Sequence, residues 1–422
     1  MLIPPLLRED ARFRRFWAGQ AVSLLGDQVT LIALPLVAVL VLDASAGQMG
    51  YLVAAELAPN LLFSLHAGAW ADRRRRKRQT MIATDLGRAV ALASIPVAYV
   101  FDALTFPHLF AVAVVMGTLA VLFQVSYGSL FVSLVPRERF VDATSILHGS
   151  RALSYVAGPS LGGLLVQVLS APVTLVVDAC SYLISAVCLR GVAAEEPATE
   201  APGRGHVLGG VRWIAGNRIV RAALGATATI NFFNFVFFTL FILYATTALG
   251  VPPGTLGLVL GAGAVGGVLG AAVTGRVSRR IGIGPAFGLG CVLFPAPLLL
   301  VPLAGGPRWV VLGCLFAAEF GSGLGVMMLD ISAGAIAAAV IPDRLRARVA
   351  GAYAVVNYGV RPLGALAGGA LGSWLGLRPT LWLATAGGLL GVLWLLPSPV
   401  MRLRELPEAA PEEAASVVAS RS

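Results

Sequence analysis

The chain has 422 residues, of which 57% are hydrophobic and 12% are charged, and its formal net charge is +10. Soluble domains carry about 25% charged residues, because a compact fold needs a polar surface. With a mean hydropathy of +0.83, the composition excludes an ordinary soluble protein and predicts an integral membrane protein in contact with the lipid bilayer. The basic residues lie in short gaps between apolar runs, so no nucleic-acid partner is expected.

Twelve apolar runs are long enough to cross a bilayer, since a spanning helix needs about 20 residues. We therefore predict an all-α membrane protein of twelve transmembrane helices. The connector at 192–220 is polar, and its second part, 206–221, suits an amphipathic interfacial helix. Residues 397–422, rich in Pro, Ala and Glu, are predicted to be disordered. The runs lie near 16–42, 48–71, 80–101, 108–133, 143–169, 172–191, 221–248, 255–275, 282–303, 309–335, 347–374 and 379–396.

The distribution of basic residues predicts the orientation of the chain, because Lys and Arg collect in cytoplasmic loops. With the N-terminus in the cytoplasm, 27 of the 31 basic residues, Arg88 among them, fall in cytoplasmic segments. Arg308 and Arg378 fall on the opposite face, and Arg151 and Arg361 lie inside spans. This asymmetry predicts an even number of spans with both termini in the cytoplasm.

The second half of the chain repeats features of the first. The basic loop at 68–73 matches 275–280 at a shift of 207 residues. These matches predict two six-helix halves, 1–191 and 221–396, joined by the connector 192–220 and followed by the tail 397–422. Parallel halves around a midplane site are typical of transporters. At a shift of 206, the matching pairs are Pro136 with Pro342, Gly158 with Gly364, Gly162 with Gly368, and Gly163 with Gly369.

The loop after the second run carries a recognisable motif. Residues 68–77 read Gly-Ala-Trp-Ala-Asp-Arg-Arg-Arg-Arg-Lys, which resembles the Gly-x-x-x-Asp-Arg-x-Gly-Arg-Arg/Lys motif of the major facilitator superfamily at Gly68, Asp72, Arg73 and Arg76. A carboxylate such as Asp72 at a helix N-terminus of the other half is stabilised by about 0.3–1 kcal/mol. The resemblance implies a cytoplasmic gate at these residues. The alternative interpretation is a topology anchor only.

A second motif lies in the fifth run. Gly158, Pro159, Gly162 and Gly163 resemble the Gly-Pro-x-x-Gly-Gly core of the superfamily's antiporter motif. Pro159 removes an intrahelical hydrogen bond and bends the helix, and the glycines let a neighbouring helix approach closely. The resemblance implies export in exchange for protons. Ordinary glycine packing is the alternative, since the chain has 49 glycines.

The resemblance to the major facilitator superfamily covers roughly residues 10–396. Local sequence at 16–20, 25–28 and 135–139 is similar to the bacterial drug-efflux branch related to enterobactin and macrolide exporters. It implies a monomeric, multi-pass protein of the bacterial inner (plasma) membrane. The fourth run lacks the arginine that many proton antiporters of the superfamily carry there.

Several ionisable residues fall inside the predicted spans, where each costs about 2.5–3.5 kcal/mol on insertion scales. Asp27 is our first choice for the proton-coupling site, and Glu56 and Glu319 are further candidates. A structural hydrogen bond or ion pair is the competing interpretation for the first two. Asp85 and Arg88, spaced i and i+3 near the start of the third span, are interpreted as a structural pair.

Polar side chains among aromatic ones suggest a cavity for a bulky amphipathic compound. Asn231 and Asn234 are spaced to share a helix face, as are Gln124 and Tyr127. Asparagines that join helices while phenylalanines face lipid would give the same pattern. Arg361 is either part of a structural ion pair or a counter-charge to an anionic substrate. The remaining cavity candidates are Gln28 and Asn357.

Other chemistries find no support in the sequence. There is no Gly-x-x-x-x-Gly-Lys-Ser/Thr motif for ATP, and the four histidines are scattered, so we expect no metal, no cofactor and no enzymatic activity. We predict a secondary active transporter that exports a small amphipathic compound by alternating access, driven by protons. An uptake symporter or lipid translocator on the same fold, or a transporter-like sensor, are the alternatives.

Overall fold

The computed structural model describes residues 4–73, 76–192 and 207–405, although the side chains of 64–73, 207–209, 344 and 347 lie outside the description. Its main elements are long helices, and an additional connector helix spans Val207–Gly216. The long helices are α1 (Ala11–Leu40), α2 (Ala46–Arg73), α3 (Lys77–Val100), α4 (Phe106–Leu134), α5 (Phe140–Leu169), α6 (Ala171–Arg190), α7 (Arg218–Leu243), α8 (Pro253–Ile281), α9 (Ile283–Leu293), α10 (Arg308–Val340), α11 (Asp343–Leu375) and α12 (Leu377–Leu389).

The predicted all-α membrane fold is confirmed. Among the described residues, nine helical segments are long and apolar enough to cross a membrane. The other three predicted spans fall on α2, α11 and α12. Short 3₁₀ segments extend α9 and α12 beyond their α-helical parts, at Pro297–Leu299 and Leu390–Trp394.

The two halves repeat each other in local structure. Asp10 caps α1 by accepting hydrogen bonds from backbone N–H groups of the first turn, and Asn217 caps α7 in the same way. Capping satisfies amide donors that have no partner inside the helix. The link between α5 and α6 turns at Ser170, with φ of 86°, and the link between α11 and α12 turns at Gly376, with φ of 89°. Both pairs keep the offset of 206 to 207 residues found in the sequence.

Helix packing follows the same repeat. In the first half α1 packs on α5 and α6, and α2 packs on α4; in the second, α7 packs on α11 and α12, and α8 packs on α10. The halves meet mainly through two equivalent contacts, α2 with α11 and α5 with α8, and α7 adds smaller contacts with α1 and α2. This arrangement relates the six-helix halves by an internal pseudo-symmetry. The sequence boundaries assigned to the halves stay predictions.

Glycine allows both contacts between the halves. A Cβ added to Gly50 would lie 2.8 Å from the Cα of Gly369, and one added to Gly163 would lie 2.8 Å from the Cα of Gly257. These helices therefore touch backbone to backbone, as small residues permit. Both contacts lie toward the ends where α2 and α8 begin.

Toward the opposite end, several glycines have open space where a Cβ would stand. They are Gly128 on α4 and Gly334 on α10, which are equivalent in the repeat, and Gly149 and Gly351 near the starts of α5 and α11. A space lined by α7, α10 and α11 reaches Ile341 at this end, which carries the basic loops. In the predicted orientation this end faces the cytoplasm.

The C-terminal segment after α12 is folded further along the chain than the sequence predicts. Residues 397–405, predicted to be part of a disordered tail, include a 3₁₀ turn at Pro399–Arg402. Val400 is fully buried, and the backbone N–H of Gly284 donates to the carbonyl of Leu403 at 2.9 Å. Contact with α9 orders this segment in spite of its proline content. Residues 406–422 lie outside the described part of the chain.

The connector and the N-terminal segment pack against the helix ends. The connector helix, Val207–Gly216, contacts α11. The segment predicted to be an interfacial helix is therefore helical over these residues. Residues 193–206 lie outside the described part of the chain. Before α1, the Glu9 carboxylate accepts a 2.7 Å hydrogen bond from Arg139 in the link between α4 and α5. That bond and the charge of Glu9 raise the pKa of Arg139.

The glycine contact between α5 and α8 gives a first prediction. Gly163→Ala would place a methyl group 2.4 Å from the carbonyl oxygen of Pro253, and overpacking of this kind costs about 1–3 kcal/mol. We expect the variant to lower the midpoint of thermal unfolding of the purified protein in detergent. Gly128→Ala, which enters open space, is the matched control and should leave the midpoint unchanged or raise it. Equal midpoints for the two variants would contradict the prediction.

Candidate substrate cavity and buried charge network

Two adjoining cavities, which we call the N-lobe and the C-lobe, are lined mainly by the first and by the second half of the chain. The N-lobe, of about 610 Å³, is lined mainly by α1, α2, α4 and α5. The C-lobe, of about 630 Å³, is lined by α7, α10 and α11. Tyr358 on α11 lines both lobes, so they meet at this side chain. Cavities of this size hold drug-sized organic molecules.

The two lobes are built from equivalent positions of the repeat that carry different side chains. Tyr155 in the N-lobe corresponds to Arg361 in the C-lobe at a shift of 206 residues. The two lobes therefore share equivalent backbone positions, and their different side chains give them different chemistry. The other equivalent pairs are Leu24 with Asn231, Gln124 with Asp330, and Arg151 with Asn357.

Most of the residues predicted for the first half come together at the N-lobe, which is lined by Asp27, Gln28, Glu56 and Gln124. Tyr127 lines an adjoining side chamber of about 110 Å³ and stacks on the ring of Phe16, with centroids 5.4 Å apart. Glu56 has no hydrogen bond or ion pair with any described residue and is exposed to the lobe.

In the second half, a ladder of polar side chains faces the C-lobe. The Asn231 amide donates to the side-chain oxygen of Asn357 at 3.1 Å. One turn away, the hydroxyls of Thr227 and Tyr353 lie 2.7 Å apart. Arg361 lines the same lobe. Asn231, Asn357 and Arg361 thus lie together along one lobe, and their role in substrate binding stays a prediction.

Asn234 does not join them, which corrects the expectation that it shares a cavity face with Asn231. It lines a small separate void with Phe233, Phe294 and Thr385, between α7, α9 and α12. Three residues of helix correspond to a turn of about 300°, so the two amides diverge by roughly 60°. On α7 that angle separates the face toward the C-lobe from the face toward α12.

Glu319 also lies away from both lobes. Its carboxylate occupies the contact between α10 and α8, with Oε2 3.2 Å from the position where Gly263 would carry a Cβ. The repeat equates Gly263 with Glu56, and Glu319 with Ala113. Each half therefore carries one acid at this pair of positions, on α2 in the first half and on α10 in the second. The Glu56 side chain faces the N-lobe, whereas Glu319 lies between two helices.

The predicted cytoplasmic gate lies partly outside the described residues. Gly68, Asp72 and Arg73 belong to the last turns of α2, but their side chains lie outside the described residues. Arg76 immediately precedes α3 and is exposed. The latch formed by Asp72 therefore stays a prediction.

The Gly-Pro segment of α5 lies where three helices meet. A Cβ on Gly158 would lie against Gln28 of α1, and one on Gly162 would lie 3.1 Å from the Cα of Val29. Gly163 faces α8 of the other half, and Pro159 turns its carbonyl oxygen toward Gly257 of that helix. The segment thus connects an N-lobe helix to the contact between the halves.

The Asp27 side chain belongs to a network of buried charged and aromatic groups. The Tyr182 hydroxyl on α6 donates a 2.5 Å hydrogen bond to its carboxylate. The Arg88 guanidinium lies 4.7 Å from the Tyr182 ring centroid and 4.4 Å from that of Phe123 on α4, distances at which cation–π attraction is significant. Its Nη2 is 3.2 Å from Asp85 Oδ1. Asp27 is thereby held by a network that links α1, α3, α4 and α6.

The position of Arg88 corrects the assignment to a cytoplasmic segment. The residue is only 4% exposed and Asp85 is fully buried, because α3 begins at Lys77 and eleven residues of helix advance about 16 Å. The structural pairing with Asp85 does occur. Arg88 thus places a cation of α3 against a ring of α4, the helix that has no arginine of its own.

Other contacts were not found from the sequence. Asp178 accepts hydrogen bonds from Thr30 at 2.5 Å and from Ser181 at 2.7 Å, which joins α6 to α1. Arg151, inside the fifth span, lines the N-lobe without an ion pair among the described residues. The spacing of Asp178 and Tyr182, one helix turn apart, was the available signal that α6 presents a polar face to α1.

Comparison with known proteins agrees with this architecture. The family profile described as Major Facilitator Superfamily matches residues 16–365. The chain belongs to the major facilitator superfamily. Its members are transporters rather than enzymes, and the repeated helix packing and two-lobed cavity described above fit that membership.

Similar proteins extend the comparison over nearly the whole chain. The multidrug efflux pump Tap of Mycolicibacterium fortuitum is 29% identical over 410 residues, which cover 90% of this chain and 93% of Tap. The uncharacterized transporter YfiS of Bacillus subtilis, of the same superfamily, is 24% identical over 381 residues, which cover 88% and 89%. The resemblance to the bacterial drug-efflux branch is thus confirmed.

Solved structures share the fold at low sequence identity. A variant of the nucleoside transporter NupG has a TM-score of 0.77 at 11% identity, covering 92% of this chain and 99% of that one. A bacterial homologue of the iron transporter ferroportin in an inward-facing state has a TM-score of 0.73 at 18% identity, covering 93% and 99%. At these identities the similarity shows the fold alone.

The Arg88–Asp85 pair gives a second prediction. Arg88→Met would leave Asp85 buried without its counter-charge, and breaking a buried pair from one side costs about 3–5 kcal/mol. We expect this variant to unfold at a lower temperature than the double variant Arg88→Met/Asp85→Leu, in which neither charge remains. Arg276→Met, at an exposed position on α8, is the control. A double variant less stable than Arg88→Met alone would show that the pair does not act as a unit.

Proposed function

We propose that this transporter exports a small amphipathic organic compound in exchange for protons, by alternating access of the two-lobed cavity. The observation that carries the proposal is the pair of acids, Asp27 and Glu56, that line the N-lobe next to a C-lobe whose wall is mostly apolar. Acids inside a membrane protein that face a cavity mark ion or substrate pathways by default. The 29% identity to the efflux pump Tap supports the outward direction.

The two acids have different surroundings, which suits different roles. Asp27 is already hydrogen-bonded to Tyr182 and belongs to the Arg88 network, so proton binding there changes a connected set of contacts between four helices. Glu56 has no partner among the described residues and meets whatever occupies the N-lobe. We assign Asp27 to proton coupling, and Glu56 to a site at which substrate and proton compete.

The C-lobe is suited to the body of the substrate. Its wall is largely alanine, valine and isoleucine, and the Asn231–Asn357 pair provides hydrogen-bonding groups at one side. Such a combination of apolar surface and few polar groups is usual in sites for organic ligands. The compound enters from the end that carries the basic loops, which in the proposed orientation faces the cytoplasm.

Movement to the outward-open state requires the glycine contacts to separate. Gly163 lies four residues after Pro159 on α5, so the bend and the contact with α8 share one stretch of helix. We propose that this stretch is the antiporter element implied by the motif. The cytoplasmic gate at Gly68, Asp72, Arg73 and Arg76 would close the opposite side.

A third prediction tests the coupling. A ligand-stabilisation screen of purified protein against antibiotics, dyes, siderophores and lipids would identify a transported compound, which is then followed in proteoliposomes under an imposed pH gradient. We expect Asp27→Asn to abolish movement driven by the gradient, because the amide cannot take up a proton. Asp102→Asn, in an exposed link before α4, should transport like the parent.

The direction of the gradient distinguishes the alternatives. Substrate that moves against the flow of protons supports export, whereas substrate that moves with it indicates an uptake symporter. Stabilisation and translocation of fluorescent phospholipids alone would indicate a lipid translocator. If Asp27→Asn responded to the gradient as the parent does, the proton role of Asp27 would be excluded.

A further inference from the structure

Arg361 lines the C-lobe and forms no ion pair with a carboxylate of the described residues. Asp330 lines the same lobe and acts on it electrostatically from beyond ion-pair distance. The Nε atom of Arg361 is buried without a hydrogen-bond partner, so a molecule in the lobe meets the terminal nitrogens of the guanidinium. A charge that is not directly paired is costly in this environment, and an anionic group of a ligand would supply the direct contact that Asp330 does not make.

Aromatic rings fix the guanidinium in place. Its carbon lies 4.7 Å from the ring centroid of Tyr358 and 5.5 Å from that of Phe235. Rings that pack against the face of the guanidinium leave its N–H groups free to donate hydrogen bonds to a ligand. The guanidinium fork matches a carboxylate with two parallel hydrogen bonds.

An unpaired acid faces the other lobe from the neighbouring helix. Glu56 lies on α2, which packs antiparallel to α11 through Gly50 with Gly369 and through Leu61 with Gly359. Both Glu56 and Arg361 lie between these two contacts. Two opposite charges are thus placed on adjoining stretches of two touching helices, one facing each lobe, without pairing with each other.

We infer that the transported compound is amphoteric, with a carboxylate that binds Arg361 and a protonated amine that binds Glu56. The inference rests on the proposed function, because it concerns the same cavity. Tyr358, which borders both lobes, provides a ring surface beside the carbon that carries the two charged groups. An amine at Glu56 excludes a proton from that carboxylate, which is the competition that exchange requires.

Three dansyl probes with linkers of similar length separate the two charges. Nε-dansyl-lysine carries both an amine and a carboxylate, dansylcadaverine carries only the amine, and 6-(dansylamino)hexanoate carries only the carboxylate. Binding to the full chain in detergent is followed by dansyl fluorescence. Charge-assisted hydrogen bonds contribute about 1.5–3 kcal/mol, so we expect the lysine probe to bind about tenfold or more tightly than either single-charge probe.

Variants then assign each charge to its residue. Arg361→Gln should reduce the affinity for dansyl-lysine to that for dansylcadaverine and leave dansylcadaverine binding unchanged. Glu56→Gln should do the reverse, weakening both amine probes and sparing the hexanoate. Arg276→Gln, on the exposed part of α8, is the matched control. Arg361→Lys keeps the charge but loses the fork, so it should bind dansyl-lysine with intermediate affinity, and it replaces Arg361→Gln if that variant does not fold.

Several outcomes would overturn the inference. Equal affinities for the three probes, or none, would exclude amphoteric recognition. If Arg151→Gln rather than Arg361→Gln removed the preference for probes with a carboxylate, the carboxylate would bind in the N-lobe, and its assignment to Arg361 would be wrong. A parent that exports dansylcadaverine under a pH gradient without preferring dansyl-lysine would contradict this inference alone. Tight binding of dansyl-lysine with no response to the gradient would contradict proton exchange and leave the binding site standing.

Discussion

Charge in a low-dielectric interior is the constraint on which the rest of this structure depends. An ionised side chain between helices must be paired, hydrogen-bonded or open to a water-filled space. Arg88 satisfies this with Asp85 and two aromatic rings, and Asp27 satisfies it with Tyr182. These contacts fix how α1, α3, α4 and α6 meet. Glu56 and Arg361 satisfy it differently, since they face the lobes. The charged groups that are paired between helices therefore have a structural role, and those that face a lobe are available to a ligand.

The architecture could be predicted from the sequence because hydropathy and repetition act over long stretches. The pairs Gly158 with Gly364 and Gly163 with Gly369 revealed the two halves, and the structure places both members of each pair at equivalent helix contacts. The tail was less predictable. Its composition suggested disorder, but Val400 is buried against α9 by tertiary contacts that no local pattern encodes.

The cavity was predictable in part. Asp27, Gln28, Glu56 and Gln124 were recognised because polar groups in apolar runs are conspicuous, and they do line one lobe. The partners were not, since the bond from Tyr182 to Asp27 joins residues 155 positions apart. Asn234 was misplaced because spacing along a helix gives the relative direction of two side chains but not which neighbour each will face.

The asymmetry between Glu56 and Glu319 has a consequence for comparing the halves of duplicated proteins. At equivalent positions one half carries Glu56 on α2 and Ala113 on α4, and the other carries Gly263 on α8 and Glu319 on α10. The carboxylate of Glu56 lines the N-lobe, whereas that of Glu319 lies between α8 and α10. Repetition of the helix packing therefore does not carry with it repetition of the ionisable groups. A duplicated half can keep its helix contacts while its acid moves from a cavity wall to a helix interface.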